Sequence, residues 1–413
     1  MKIKCLLILF QLSFIVCFPQ SNKDILRPPL LLRNDSTLKG NPFPNYKEML
    51  ILEAKYTEFP PLVRVYWEQR YMAEEFMGLH QSGLFAMELF KVEWNDNDTI
   101  PDLYKPVSAI QVIKEEAVKT KIVIWAEEHH LQQTRSYYSL MIHELWKLGY
   151  HYLAAESFSP KVQSLAGNFL NYESGLYTRD PVFAYAVHEA LLLGFKLIEY
   201  DPLELGDPTD INFRDRKSAE NILSNVFMED SAAKLIILAG RLHAAERTEN
   251  GWEPLGFALK RITNIDPFTI YAPTMTERLK PEEEHPAYKQ AITKFKINQP
   301  SVFKNDKNGN LYTSQGTFDT YVFFPRTTLI NTRPNWLFTI QGRKKVVVKL
   351  PKSQEMLLVQ ALPVQEKAGI IPIDQYLANP SSKKVMLALP PGEYHLRFIS
   401  DEGIIQSKKI KVK

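Results

Sequence analysis

The run Glu127-Glu128-His129-His130 puts two carboxylates and two imidazoles in consecutive positions. Imidazole is the side chain best suited to exchanging protons near neutral pH, and a carboxylate beside it can orient the ring or polarise a water molecule. Both residue types are seldom buried unless paired. Glu156, the pair Glu199 and Asp201, and His243 just beyond Gly240 repeat the same chemistry downstream. Arg135 follows the histidines closely enough to hold a substrate oxyanion or to fix Glu127. Taken singly, each of these residues reads as a cap or a solvated loop residue. What singles them out is that each follows a short apolar run.

Those runs are the elements that must position them. Ile122-Val-Ile-Trp125 reads as a strand buried on both faces. Residues 131–148 carry Tyr137, Met141, Leu145 and Leu148 at helical spacing, and Gly149 is placed to end that helix in the left-handed conformation. Tyr152-Leu-Ala-Ala155 opens a second strand that ends in Glu156. Asp180-Pro181 starts a helix with an N-cap and a proline in the first turn, and Gly194 stops it. Strands at 196–200, 234–239 and 268–271 follow, separated by helices at about 214–227 and 255–262. Strands alternating with helices at this interval predict a parallel sheet, and open parallel sheets bind ligands at the carboxyl edge of their strands. His143 and His188 fall mid-helix and read as structural.

Beyond residue 281 the pattern changes to short β-type runs at 320–324, 336–340, 345–350, 356–359 and 385–389, with a Pro390-Pro-Gly392 turn feeding an alternating strand. The predicted organisation is a leader at 1–20, an N-terminal arm and helices at 21–106, an α/β core carrying the site at 107–280, and a C-terminal β-sandwich-like domain at 286–413. Pro60-Pro61 divides the N-terminal helices.

Composition narrows the function. The chain has 413 residues, 50 basic against 47 acidic, for a formal charge of +3. No global field draws it to nucleic acid or to an anionic membrane. Lys2 and Lys4 precede an apolar run from Cys5 to Cys17, the pattern of an export leader too short to span a bilayer. Both cysteines fall inside it, so the mature chain is expected to lack disulfides, thiol nucleophiles and cysteine metal ligands. The sequence has no Gly-x-Ser-x-Gly elbow, no His-Glu-x-x-His and no glycine-rich phosphate loop, which disfavours the usual serine hydrolase, the zincins and nucleotide enzymes.

The segments Ala126-Glu-Glu-His-His130, Arg135, Leu153-Ala-Ala-Glu156 and Leu238-Ala-Gly-Arg-Leu-His243 resemble the superfamily of erythromycin esterases, ChaN-like haem-binding proteins and Tiki metalloproteases. They are most similar to exported bacterial proteins of unknown function with an Asn-Glu-Ala-His-His core. The resemblance covers about 107–275 well and 286–413 loosely. The esterase pattern Gly-Glu-x-x-His maps onto Glu127 and His130, with Glu156 as second acid; the ChaN-like pattern Gly-Glu-x-His maps onto His129. Ala126 and Arg241-Leu242 depart from both. The resemblance implies an exported hydrolase of an ester, lactone or amide, acting on a small molecule without a required cofactor through Glu127, His129 or His130, Arg135, Glu156 and His243. Its alternative is binding of haem or a divalent metal without turnover, with Tyr137, Tyr138 or Tyr177 as haem ligands.

Overall fold

The computed structural model describes residues 42–413 apart from 59, 91, 157, 165–167, 203–209, 315, 365–368 and 401, and the side chains of 60–62 and 163–164. The expected leader and most of the arm lie outside the described residues.

Six parallel strands form the central sheet: β1 (Ile122–Glu127), β2 (Tyr152–Ala155), β3 (Lys196–Ile198), β4 (Leu235–Gly240), β5 (Phe268–Tyr271) and β6 (Thr320–Tyr321), in the order β3-β2-β4-β1-β5-β6. Alternation explains the unbroken apolar runs. Val123 and Trp125 face one core cluster with Leu153, Ile236 and Leu238, while Ile122, Ile124 and Ala126 face the other with Ala154 and Ile237. Every residue of β1, β2 and β4 is buried, as strands covered by helices on both sides require.

The local signals that end and start helices act as the sequence indicates. Gly149 and Gly194 have φ of +86° and +87° after the helices Tyr138–Trp146 and Pro181–Leu192. Asp180 caps the second of these, its Oδ1 accepting from the Val182 amide at 2.8 Å. The helix expected over 131–148 is instead two pieces, Gln132–Arg135 and Tyr138–Trp146. Between them the chain tightens through i→i−3 bonds, with the Tyr137 amide on the Thr134 carbonyl, and the buried Arg135 side chain is turned toward the sheet.

The boundary expected between 280 and 286 falls inside the α/β body. Ala287, Tyr288 and Ala291 of the helix Pro286–Thr293 are core residues beside Ile124 and Ile237. Ser301–Asn305 pairs antiparallel with Tyr104–Ser108, and the run expected at 320–324 supplies β6 at the edge of the parallel sheet. A two-residue strand carries too little periodicity to reveal its sheet. The run at 336–340 forms a 3-10 turn, Asn335–Phe338, rather than a strand.

The antiparallel part comprises β7 (Lys344–Lys349), β8 (Leu357–Pro363), β9 (Asp374–Ala378), β10 (Lys384–Leu389), β11 (Gly392–Ser400) and β12 (Gly403–Val412). β7 pairs with β10, and the other four are ordered β9-β8-β11-β12. Val346, Val348, Val359, Leu387, Leu396 and Phe398 pack between these sheets together with Val182 and Tyr185 of the α/β body. Leu358, Leu377 and Ile399 pack against Phe43, Tyr66, Ala73, Phe76 and Met77 of the N-terminal helices. The buried Arg333 holds this junction by donating to Asp374 at 2.5 Å and to the Gly78 carbonyl. The β domain is thus a wall of the core. A chain ending at residue 340 uncovers both apolar faces, and we expect it to be recovered as aggregate. A soluble monomer with a cooperative melting transition would show the β domain to be separable.

Candidate active site

Register brings the chemistry together. β2, β4 and β1 are neighbours, and Glu127 lies opposite Gly240. The Glu156 amide, one residue past β2, bonds the Leu238 carbonyl. The carboxyl ends of three adjacent strands therefore carry Glu156, Gly240 and Glu127 side by side, followed at once by His129 and His243.

His129 stands at the centre. Its Nδ1 lies 2.7 Å from Glu127 Oε1, and its Nε2 lies 3.7 Å from Glu156 Oε2. Tyr177 stacks on the ring with centroids 3.8 Å apart and planes 16° apart, which fixes the ring orientation. Glu127 is buried and fully engaged. Arg135 donates to both its oxygens, at 2.8 and 3.2 Å, and the Tyr138 hydroxyl donates to Oε2. Burial alone would raise this carboxyl, but Arg135 and then His129 outweigh it and hold it down to about 2. An ionised Glu127 can only accept a hydrogen bond, so Nδ1 of His129 donates to it and Nε2 is turned toward Glu156.

Arg135 has no exposed surface and is shared with Asp180, Nη1 to Oδ2 at 3.0 Å. Of the two roles open to it, the geometry matches the fixing of Glu127, with all three of its hydrogen bonds going to buried carboxylates. Glu156 is held by Arg214 Nη2 on Oε1 at 2.8 Å and by the Gly240 amide on Oε2 at 2.7 Å. Burial pushes this carboxyl up, and Arg214, His129 and His243 together bring it below its usual range. Arg214 in turn donates to Asp201, Nε to Oδ1 at 2.8 Å, so Arg214 belongs to the cluster. Arg216 bonds the Asn212 carbonyl on the exposed side of its helix. Glu199 is half-buried on the strand end next to this cluster.

His243 forms a second pair. Its Nδ1 is 2.6 Å from Asp215 Oδ1, and Trp252 Nε1 donates to Asp215 Oδ2 at 2.7 Å. Burial lowers this imidazole, but Asp215 and then Glu156 raise it above its ordinary value. In His243 the protonated form is thus favoured relative to an unpaired imidazole.

His130 and Glu128 point elsewhere. Burial pushes His130 down to about 4, and its backbone is wedged against the N-terminal helices: a Cβ on Gly83 would come within 2.0 Å of its carbonyl oxygen. Glu128 forms a buried ion pair with Arg241. Arg241 has φ of +32°, a strained value for a side-chain-bearing residue, and its guanidinium ties the end of β4 to the end of β1. Of the two histidines left open by the motif patterns, the geometry singles out His129.

Sequence reasoning missed Asp215, Trp252 and Glu75. Asp215 follows Arg214 on a charged helix and has no signal of its own, and Trp252 sits in a loop. Glu75 comes from the N-terminal helices. It accepts from the Gln132 amide at 2.7 Å, and Gln132 Nε2 donates to Asp180 at 2.8 Å. Burial and the nearby Asp180 charge raise Glu75 well above its usual range, against the pull of the Gln132 amide and Arg135.

The residues fit metal or haem poorly. Both oxygens of Glu127 and of Glu156 already take N–H or O–H donors, and Glu128 is paired with Arg241. Among the described residues no group of three or more acidic, histidine or cysteine side chains is arranged to hold a metal ion. Tyr138 is committed to Glu127, Tyr177 lies flat on His129, and Tyr137 packs on Trp125. Burial raises all three phenols, against the phenolate that iron would need.

The sign of the carboxylate shifts gives a test. A carboxyl with a depressed folded value stabilises the fold above its unfolded value, near 4.5 for Glu127, and loses that contribution as pH falls through about 2. The stability gap between wild type and Glu127→Gln, from urea unfolding at pH 7 and at pH 3, is expected to be larger at pH 7. A gap that grew on acidification would contradict the Arg135–Glu127 pairing.

No family profile and no curated protein matches the sequence. Two solved structures show a distant similarity. The type III effector HopBA1 is 12% identical, with 46% of this chain and 96% of that chain covered, at a TM-score of 0.30. ChaN of Campylobacter jejuni, described with cofacial heme binding, is 9% identical, with 42% and 92% covered, at 0.27. Scores this low carry no argument about this chain's chemistry. Among the described residues no helix is long and apolar enough to cross a membrane.

Proposed function

We propose that the protein is a hydrolase of a small ester, lactone or amide in which His129 is the general base and His243 the general acid. The observation that carries this is the placement of His129 Nε2 beside Glu156 Oε2 without a direct hydrogen bond between them. Their 3.7 Å separation is too long for a mutual hydrogen bond, and it suits a water molecule donating one hydrogen to each. His129 takes a proton from that water as it attacks the carbonyl carbon. Glu127 stabilises the imidazolium that forms, and Glu156 orients the water. His243 gives its proton to the leaving oxygen or nitrogen as the bond from the carbonyl carbon to that atom breaks. Arg135, Arg214, Asp201, Asp215 and Tyr177 act as positioning residues. The Lys2–Cys17 segment supports action outside the cytoplasm. Binding of haem or metal without turnover is the weaker reading, because the donors are already paired.

Gly240 supplies the experiment. Its φ of −68° is open to any residue, so its glycine is required by space. A Cβ there would lie 2.8 Å from both Glu156 Oε2 and His129 Nε2. Purified protein is expected to hydrolyse at least one member of a panel of chromogenic esters, lactones and anilides. Gly240→Ala should lower kcat/KM by about a hundredfold or more, the scale of disabling a general base. Turnover within a few-fold of wild type in Gly240→Ala, or no hydrolysis across the panel, would sink the proposal.

A further inference from the structure

The near-neutral whole conceals a strong asymmetry. Residues 341–413 hold 13 lysines and arginines against 6 acids, and the rest of the chain holds 37 against 41. The excess is concentrated on the strands β7, β10 and β12. Lys349, the last residue of β7, lies directly opposite Lys384, the first of β10. Lys383 is adjacent, with its carbonyl accepting from the Leu350 amide, and Lys352 follows two residues later. All four are exposed. Like charges directly opposite on an antiparallel pair destabilise it, and nothing in the fold offsets this pair. Among the described residues, the ion pairs and side-chain hydrogen bonds of the β domain leave these four lysines out. Edge strands often carry lysine to prevent strand addition, but that purpose does not call for a lysine on each strand of the pair, face to face.

We propose that this end of the β domain docks onto an anionic phospholipid surface. The proposal is independent of the hydrolase reading. Charge complementarity supplies the partner's sign, and the remaining surface supplies its class. Alternation along β7 puts Lys345, Val347 and Lys349 on one side, with Val347 58% exposed. The other large exposed apolar residues of this domain are Ile404 and Ile405. All three are aliphatic; among the described residues of this domain no aromatic side chain stands exposed to stack on a base or a sugar, as nucleic acids and many glycans require. Lysines interleaved with aliphatic side chains suit lipid headgroups and the top of the acyl layer.

The test is co-sedimentation of the full chain with vesicles of phosphatidylcholine alone or with about one-third phosphatidylglycerol. Binding is expected only to the anionic vesicles and should weaken as salt is raised. Each lysine near such a surface contributes about a fivefold gain. The fourfold variant Lys349→Gln, Lys352→Gln, Lys383→Gln, Lys384→Gln should therefore bind at least about a hundredfold more weakly. A control variant, Lys114→Gln with Lys119→Gln and Lys147→Gln, carries its changes on the α/β body and should bind as wild type does. Circular dichroism checks that both variants fold. Equal binding to neutral and anionic vesicles, undiminished binding by the fourfold variant, or binding to heparin but not to vesicles would each overturn the proposal.

Discussion

Replacing His129 by asparagine is expected to lower kcat/KM by about 10²–10⁴, while the same change at His130 costs less than about tenfold. The two residues are neighbours of the same type, so composition and local stability are nearly matched. What separates them is their surroundings. His129 lies between Glu127 and Glu156, held by the Tyr177 ring. His130 is packed beside Gly83, where burial keeps its ring neutral. Asparagine at 129 leaves Glu127 still bound by Arg135 and Tyr138, so no buried charge is orphaned and the melting temperature should fall only slightly. Kinetics on the responsive ester, with calorimetry on both variants, decides the matter. Equal losses at 129 and 130, or a larger loss at 130, would reassign the base.

Arg135→Met is expected to lower stability by a large amount, along with the turnover that depends on a correctly placed Glu127. Arg135 is wholly buried and its guanidinium contacts both Glu127 and Asp180. Removing it strands two buried carboxylates, and breaking a buried pair in this way costs roughly 3–5 kcal/mol. That is a large share of the about 5–15 kcal/mol that holds a typical fold together. Adding Asp180→Asn should restore part of the loss, because one orphaned charge is then neutral. Urea unfolding of the single and double variants measures both effects. A change below about 1 kcal/mol in Arg135→Met would mean that the pairing is solvent-screened and that Glu127 needs no permanent partner.

Much of this site was legible in the sequence because parallel strands are short and apolar and their ends are abrupt. The runs 122–126 and 152–155 each stop at a glutamate, the run 235–239 stops at Gly240 with His243 just beyond, and the alternation of strands with helices implies one common edge. The order β2-β4-β1, which makes Glu156, Gly240 and Glu127 neighbours, could not be read off, since crossover order leaves no local trace. The partners that tune the cluster were hidden for the same reason. Asp215 acts on His243 from 28 residues away, and Glu75 reaches Gln132 from 57 away. The extent of the α/β body was misjudged where its last pieces are small. Thr320–Tyr321 completes the sheet with two residues, too few to show a period. The 3-10 turn at Asn335–Phe338 shares the apolar content of a strand and differs from one only in its hydrogen bonds.

The account turns on a base and an acid acting on one bond, and the pH dependence of kcat/KM in wild type and in Asp215→Asn tests it most directly. Asp215 raises the His243 imidazole above its ordinary value, so His243 stays protonated further into the alkaline range than an unpaired histidine would. A bell-shaped profile is expected, whose alkaline limb reports loss of the His243 proton. In Asp215→Asn that limb should move to lower pH, because the attraction that raised the imidazole is gone, while the acid limb stays in place. A profile without an alkaline limb, or an alkaline limb unmoved by Asp215→Asn, would contradict the paired-histidine mechanism.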